Sequence, residues 1–180
     1  MPLTLTGLRR TLADMDAPEL RALLEDLYRA SAANKRLLTA KLQGDNSELR
    51  AKLESELKKA FGTPERTATF RVSGAKNALA DYVKVAAPLD ALDAELRYVE
   101  AAMDCLGTYG GWPDNNYSST EKVWEGLLKR AKKLPDDALP HDRFQAIAKR
   151  AYNVGLDGIP YEYDVFRGLH DDDEDDELED

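Results

Sequence analysis

Cysteine and histidine are almost missing from this chain, which has one Cys, Cys105, and two His, His141 and His170, in 180 residues. A single thiol cannot close an internal disulfide, so packing alone must hold the fold, as in a reducing, cytoplasmic compartment. No Glu-x-x-His pair occurs and one thiolate builds no cluster, so no metal or other cofactor is expected. No apolar run approaches the ~18 residues that suggest a membrane span, and the opening MPLTLTGLRR has no signal-peptide core, which predicts no membrane partner. Phosphate-loop lysine spacing and the dinucleotide fingerprint are both absent.

A basic excess is lacking too. The formal charge is −9, but residues 171–180, DDDEDDELED, hold nine carboxylates, and removing these from the 34 acidic residues leaves 25 against 25 basic ones. The body is therefore neutral, and a self-repelling tail of low hydrophobicity is expected to be disordered. Within the body, residues 1–62 carry eleven Lys or Arg against nine Asp or Glu, and residues 89–170 carry ten against fourteen. So mild a gradient is no nucleic-acid footprint.

What the chain does have is helical spacing almost throughout. Leu20, Leu23, Leu24, Leu27 and Tyr28 recur on one helical face, with Asp16 and Glu19 in capping-box register and Pro18 in the first turn. A short helix precedes it at Leu5, Leu8 and Leu12, and two follow, ended by Gly44 and Gly62. Residues 63–72 break the rhythm and read as a linker. Ser73 is expected to cap the next helix and Pro88 to start another. Further helices carry Val123, Trp124, Leu127, Leu128 and Ala131, then Phe144, Ile147, Ala148, Ala151 and Tyr152, then Tyr163, Phe166 and Leu169. The expectation is an all-α fold of about nine helices packed as antiparallel αα-hairpins, in a short irregular stack or a bundle. Its parts are an N-terminal helical segment, 1–62, the linker, a C-terminal helical segment, 73–170, that belongs to one domain with the first, and the tail, 171–180.

The phrases LRRTLADMDAPELRALLEDLY, FRVSGAKNALADYVKVA, and TYGGWPDNNYSSTEKVWEGLL followed by GLDGIPYEYDVF occur in this order. Together they resemble an uncharacterised family of small bacterial helical proteins, a domain of unknown function, over most of residues 5–169. The resemblance implies a bacterial, all-helical protein and carries no functional residue.

Glycines and aromatics crowd together only in CLGTYGGWPDNNYSST, Cys105 to Thr120. It reads as a corner in which Gly110 or Gly111 ends one helix, Trp112-Pro113-Asp114 turns the chain, and Ser118 or Ser119 caps the next, with Glu121 in its first turn. Ten of the fourteen aromatics lie at or after Tyr98. Tyr98, Trp124, Phe144, Tyr152 and Phe166 are expected in the core. Tyr109, Trp112, Tyr117, Tyr161 and Tyr163 sit in or beside two loops; they would form an amphipathic binding patch if those loops meet, although capping the end of the core is the simpler reading. Cys105 reads as a small buried hydrophobe.

The leading expectation is thus a non-enzymatic helical protein-protein interaction module with an unknown protein partner. A nucleic-acid-associated protein is the second reading, its acidic tail competing with DNA or RNA for a basic stripe of Arg9, Arg10, Lys129, Arg130, Lys132 and Lys133. The third is an enzyme built on a carboxylate pair at helical spacing, such as Glu100 with Asp104. His170 beside Asp171 to Asp173 could chelate a divalent ion only weakly, and a solvated tail is the simpler reading.

Overall fold

Helix starts in this chain follow local chemistry. Asp16 accepts a hydrogen bond from the Glu19 backbone N–H at 2.8 Å while Glu19 accepts one from the Asp16 N–H at 2.9 Å, so the second helix opens on a complete capping box. Thr4 and Ser31 cap the first and third helices through their hydroxyls. Pro88 occupies the first turn of the longest helix, where its missing N–H leaves nothing unsatisfied. In a computed structural model that describes residues 2–169, these signals produce nine α-helices among the described residues: α1 (Leu5–Ala13), α2 (Ala17–Ala30), α3 (Ala32–Gln43), α4 (Ser47–Phe61), α5 (Ser73–Val83), α6 (Pro88–Tyr109), α7 (Asp114–Ala131), α8 (His141–Ala151) and α9 (Gly158–Phe166). Two 3₁₀ turns, Asp136–Ala138 and Tyr152–Val154, join the later helices. No strand forms among the described residues, and the acidic tail lies outside them.

The chain divides into two compact units, one up to Glu48 and one from Leu49 onward. The division falls inside α4, not in the segment 63–72, because Leu49, Leu53, Leu57, Ala60 and Phe61 are all buried in the second unit. That unit is built around α6, which packs against α5, α7 and α8, while α9 packs on α7 and α8. Its interior holds Tyr98, Trp124, Phe144, Leu96, Met103 and Ile147 at 0–2 % exposure, so a real core exists. The first unit is different in kind. α2 folds back on α3 through the single residue Ser31, yet neither α1 nor α2 has a buried side chain and α3 has only Ala40.

Segment 62–72 is ordered by specific hydrogen bonds. Gly62 ends α4 with φ 84°, and a Cβ there would lie 2.9 Å from the Arg66 carbonyl, so the turn closed by Thr63 and Arg66 requires glycine. Phe70 adopts φ 58° despite its Cβ. That conformation costs about 1–2 kcal/mol and is held by three contacts. The Phe70 N–H donates to Ala60 O, its carbonyl accepts from Asn116 Nδ2 at 3.0 Å, and its ring meets Tyr109 edge-on.

Several local expectations change. Ser73 is the first residue of α5, preceded by Val72, and makes no cap. α7 starts at Asp114 after Pro113, so Ser118 and Ser119 lie within it and Glu121 is beyond its first turn. Proline's fixed φ suits the residue leading into a helix, which lets α7 begin well before the serines suggest. Tyr152 is 75 % exposed because the chain leaves α8 for a 3₁₀ turn there, which rotates its side chain off the apolar face.

Candidate functional site

The five loop aromatics separate when the chain folds. Tyr117 approaches the backbone of Gly155, and the Gly158 N–H donates to Glu121 Oε1 at 3.2 Å, so the two loops do meet. Their aromatic side chains are mostly consumed by packing. Trp112 lies against Phe61 and Tyr117 with ring centroids 5.8 and 5.6 Å away. Tyr109 accepts a hydrogen bond from the Ala68 N–H, and Tyr163 is buried among Trp124, Phe144 and Phe166. Tyr161 and Tyr109 are the exposed members of the five, at 58 and 42 %. The crowded motif therefore spends Tyr109, Trp112 and Asn116 on seating residues 61–70, which explains its excess of aromatic surface without a ligand.

The basic residues are similarly divided. Lys129 pairs with Glu125 one turn earlier, and Arg130 makes two hydrogen bonds to the nearly buried Glu95 at 2.9 and 3.1 Å. Lys132 and Lys133 are exposed at the end of α7, and Arg9 and Arg10 are exposed on α1 in the first unit. On α6, the carboxylates are met by arginines. Arg143 binds Glu100 through two 2.8 Å hydrogen bonds and Asp93 through a third at 2.7 Å, while Arg150 binds Asp104. Desolvation pushes the Asp93 carboxyl up, but hydrogen bonds from Arg143 and Arg97 outweigh it and hold the group below its ordinary value. A general base needs a free, suitably basic oxygen. Glu100 and Asp104 instead serve as ion-pair partners that tie α8 to α6.

Thiol chemistry has no better footing. Cys105 is buried, and desolvation pushes its pKa to about 11, leaving the nucleophilic thiolate scarce near neutrality. His141 Nε2 lies 3.1 Å from an Asp136 carboxylate that is itself 90 % exposed. No cluster of metal-ligating side chains exists among the described residues, and none of their helices is long and apolar enough to cross a membrane.

The first unit carries an exposed apolar groove. Leu24, Glu25, Tyr28 and Arg29 of α2 and Leu38 and Leu42 of α3 line an open groove of about 410 Å³. Leu24, Leu27, Tyr28 and Leu42 are 49, 43, 42 and 79 % exposed. Asn34 Nδ2 donates to the Leu27 carbonyl at 2.9 Å and fixes the hairpin behind the groove, and Lys35 sits 5.7 Å over the Tyr28 ring at its edge. The spacing of Leu20 to Tyr28 marks one apolar helical face. Within the hairpin α2 packs on α3, and Leu24, Leu27 and Tyr28 stay exposed. The chain matches no family model, no curated protein and no solved structure, so its own geometry carries the reading.

Proposed function

We propose that this protein is a non-enzymatic interaction module and that the α2–α3 groove seats an amphipathic helix of another protein chain. The observation that carries this reading is the concentration of four large, substantially exposed apolar side chains on one short hairpin. Apolar surface gathered in one place costs free energy in water at about 25 cal/mol per Å², which a docked helix recovers. Helices enter such grooves with anchors at i, i+3, i+4 and i+7, the same spacing that α2 itself displays. The arginine-bound carboxylates of α6 and the buried thiol support the non-enzymatic part of the reading.

A photo-crosslinking residue placed at Leu24 or Leu42, in cells of the native host, tests it against the nucleic-acid reading. Adducts with protein are expected at both positions, unchanged by nuclease. Adducts that form only from a probe at Lys132 and vanish with nuclease would transfer the function to the basic end of α7. No protein adduct at either groove position would sink the proposal.

A further inference from the structure

We infer that the chain seated in the groove is a second copy of this one, related by a two-fold axis that lays α2 of each copy along α3 of the other. This rests on the groove being a docking surface, and it adds which partner fits. Charge selects the occupant. α3 carries Lys35, Arg36 and Lys41 and no acidic side chain, whereas α2 carries Glu19, Glu25 and Asp26 against Arg21 and Arg29. Among the described residues, Lys35, which sits over the Tyr28 ring, and Lys41 make no ion pair, whereas Arg36 is half-buried with its Nε shielded and is not offered to a partner; Glu25 and Asp26 are engaged only by Arg29 on their own helix. A second α2 presents a leucine stripe for the groove and carboxylates for the unpaired cations. The acidic segment 171–180 supplies carboxylates but one leucine, so it cannot fill an apolar groove.

The alternative two-fold arrangement, α2 on α2 and α3 on α3, would face Lys35 and Lys41 with their own copies. Like-charge juxtaposition disfavours it, and the crossed arrangement replaces that repulsion with two acid–base seams. The crossed arrangement is isologous, using the same patch on both copies, and closes on itself without leaving a groove open. It also supplies what the first unit lacks. Two hairpins face to face make a four-helix core in which Leu24, Leu27, Tyr28, Leu38 and Leu42 lose their contact with water.

Sedimentation of the full chain over a range of micromolar concentrations tests the inference, with circular dichroism confirming that every variant keeps its helices. The wild type is expected at twice 20.1 kDa. Leu24→Glu combined with Leu42→Glu should return it to a monomer. Glu25→Lys with Asp26→Lys should weaken association by about tenfold, and adding Lys35→Glu and Lys41→Glu to that chain should restore it, since the crossed seams are then reformed with signs exchanged. Failure of this restoration overturns the crossed arrangement, and a dimer indifferent to both leucine substitutions overturns the interface. A monomeric wild type whose Leu24 and Leu42 probes crosslink a different protein overturns the second copy and leaves the groove reading standing. A monomer with no groove adduct removes both.

Discussion

At the scale of single residues, the buried polar atoms of the second unit are the informative ones. Tyr98 is fully buried, and desolvation pushes its phenol to about 12 even though Ser119 lies close enough to lower it somewhat. Neither hydroxyl makes a hydrogen bond of full geometry among the described residues. An unsatisfied buried hydroxyl destabilises, so Tyr98→Phe should leave stability unchanged or raise it by up to about 1 kcal/mol, as read from denaturant melts. A measurable loss of stability would show that the phenol has a partner. A raised folded-state value also fixes the alkaline behaviour. The contribution of Tyr98 is present below the unfolded phenol value near ~10 and is lost as pH rises through about 12, so the wild type should lose stability relative to Tyr98→Phe in that window. Trp124, at 0 % exposure, packs on Phe144 and Tyr163, and Trp124→Ala should cost about 3–5 kcal/mol. Half-buried Trp112, replaced in the same way, should cost visibly less.

At the scale of elements, α6 is the organising helix because it presents carboxylates to two neighbours at once. Glu95 takes Arg130 from α7, and Asp93 and Glu100 take Arg143 from α8. Arg143→Gln removes three charge-assisted hydrogen bonds. Its side chain is about a third exposed, so solvent screens part of the interaction and the expected loss is about 1–3 kcal/mol. The acid limb of stability should report the same ion pairs. Because the folded-state value of Asp93 is depressed, its contribution is present above the unfolded value near ~3.9 and is lost as pH falls through the folded one. The advantage of wild type over Asp93→Asn, measured by urea melts, should therefore be full at neutral pH and shrink below about pH 4. An advantage that stays constant into acid would mean that Asp93 acts through its shape alone.

At the scale of the whole molecule, the two units have different stabilising resources. The unit from Leu49 onward has a dense interior, and the unit up to Glu48 has half-exposed leucines and one buried alanine in α1–α3. Local opening is governed by such differences. Amide hydrogen exchange should accordingly be fast in α2 and α3 of the dilute protein and slow in α6, and protection of α2 and α3 alone should rise with protein concentration if copies meet at the groove. Uniform protection across both units at every concentration would contradict this.

The legible part of the fold is the part decided within a few residues. Helix positions could be read because apolar side chains repeat at helical spacing, and their limits could be read at Asp16, Gly44, Gly62 and Pro88, and to within Gly110 or Gly111, because caps and left-handed turns are local chemistry. Where two local signals competed, as with Pro113 against Ser118 and Ser119, the one compatible with the chain's path into α7 prevailed. Burial was legible only in part: Tyr98, Trp124, Phe144 and Cys105 are buried as expected, but Tyr152 is not. The stripe Leu20 to Tyr28 and the stripe Trp124 to Ala131 have the same spacing, yet one is open to water and the other is core. Spacing states which side chains share a face, whereas the number of helices that cover the face depends on contacts far apart in the chain. The sequence alone determined an all-helical protein and those helix limits that a local cap or proline sets. Only the tertiary structure decided that the loop aromatics seat residues 61–70 and that an exposed apolar face lies on α2 and α3, because both follow from which elements find one another across the fold.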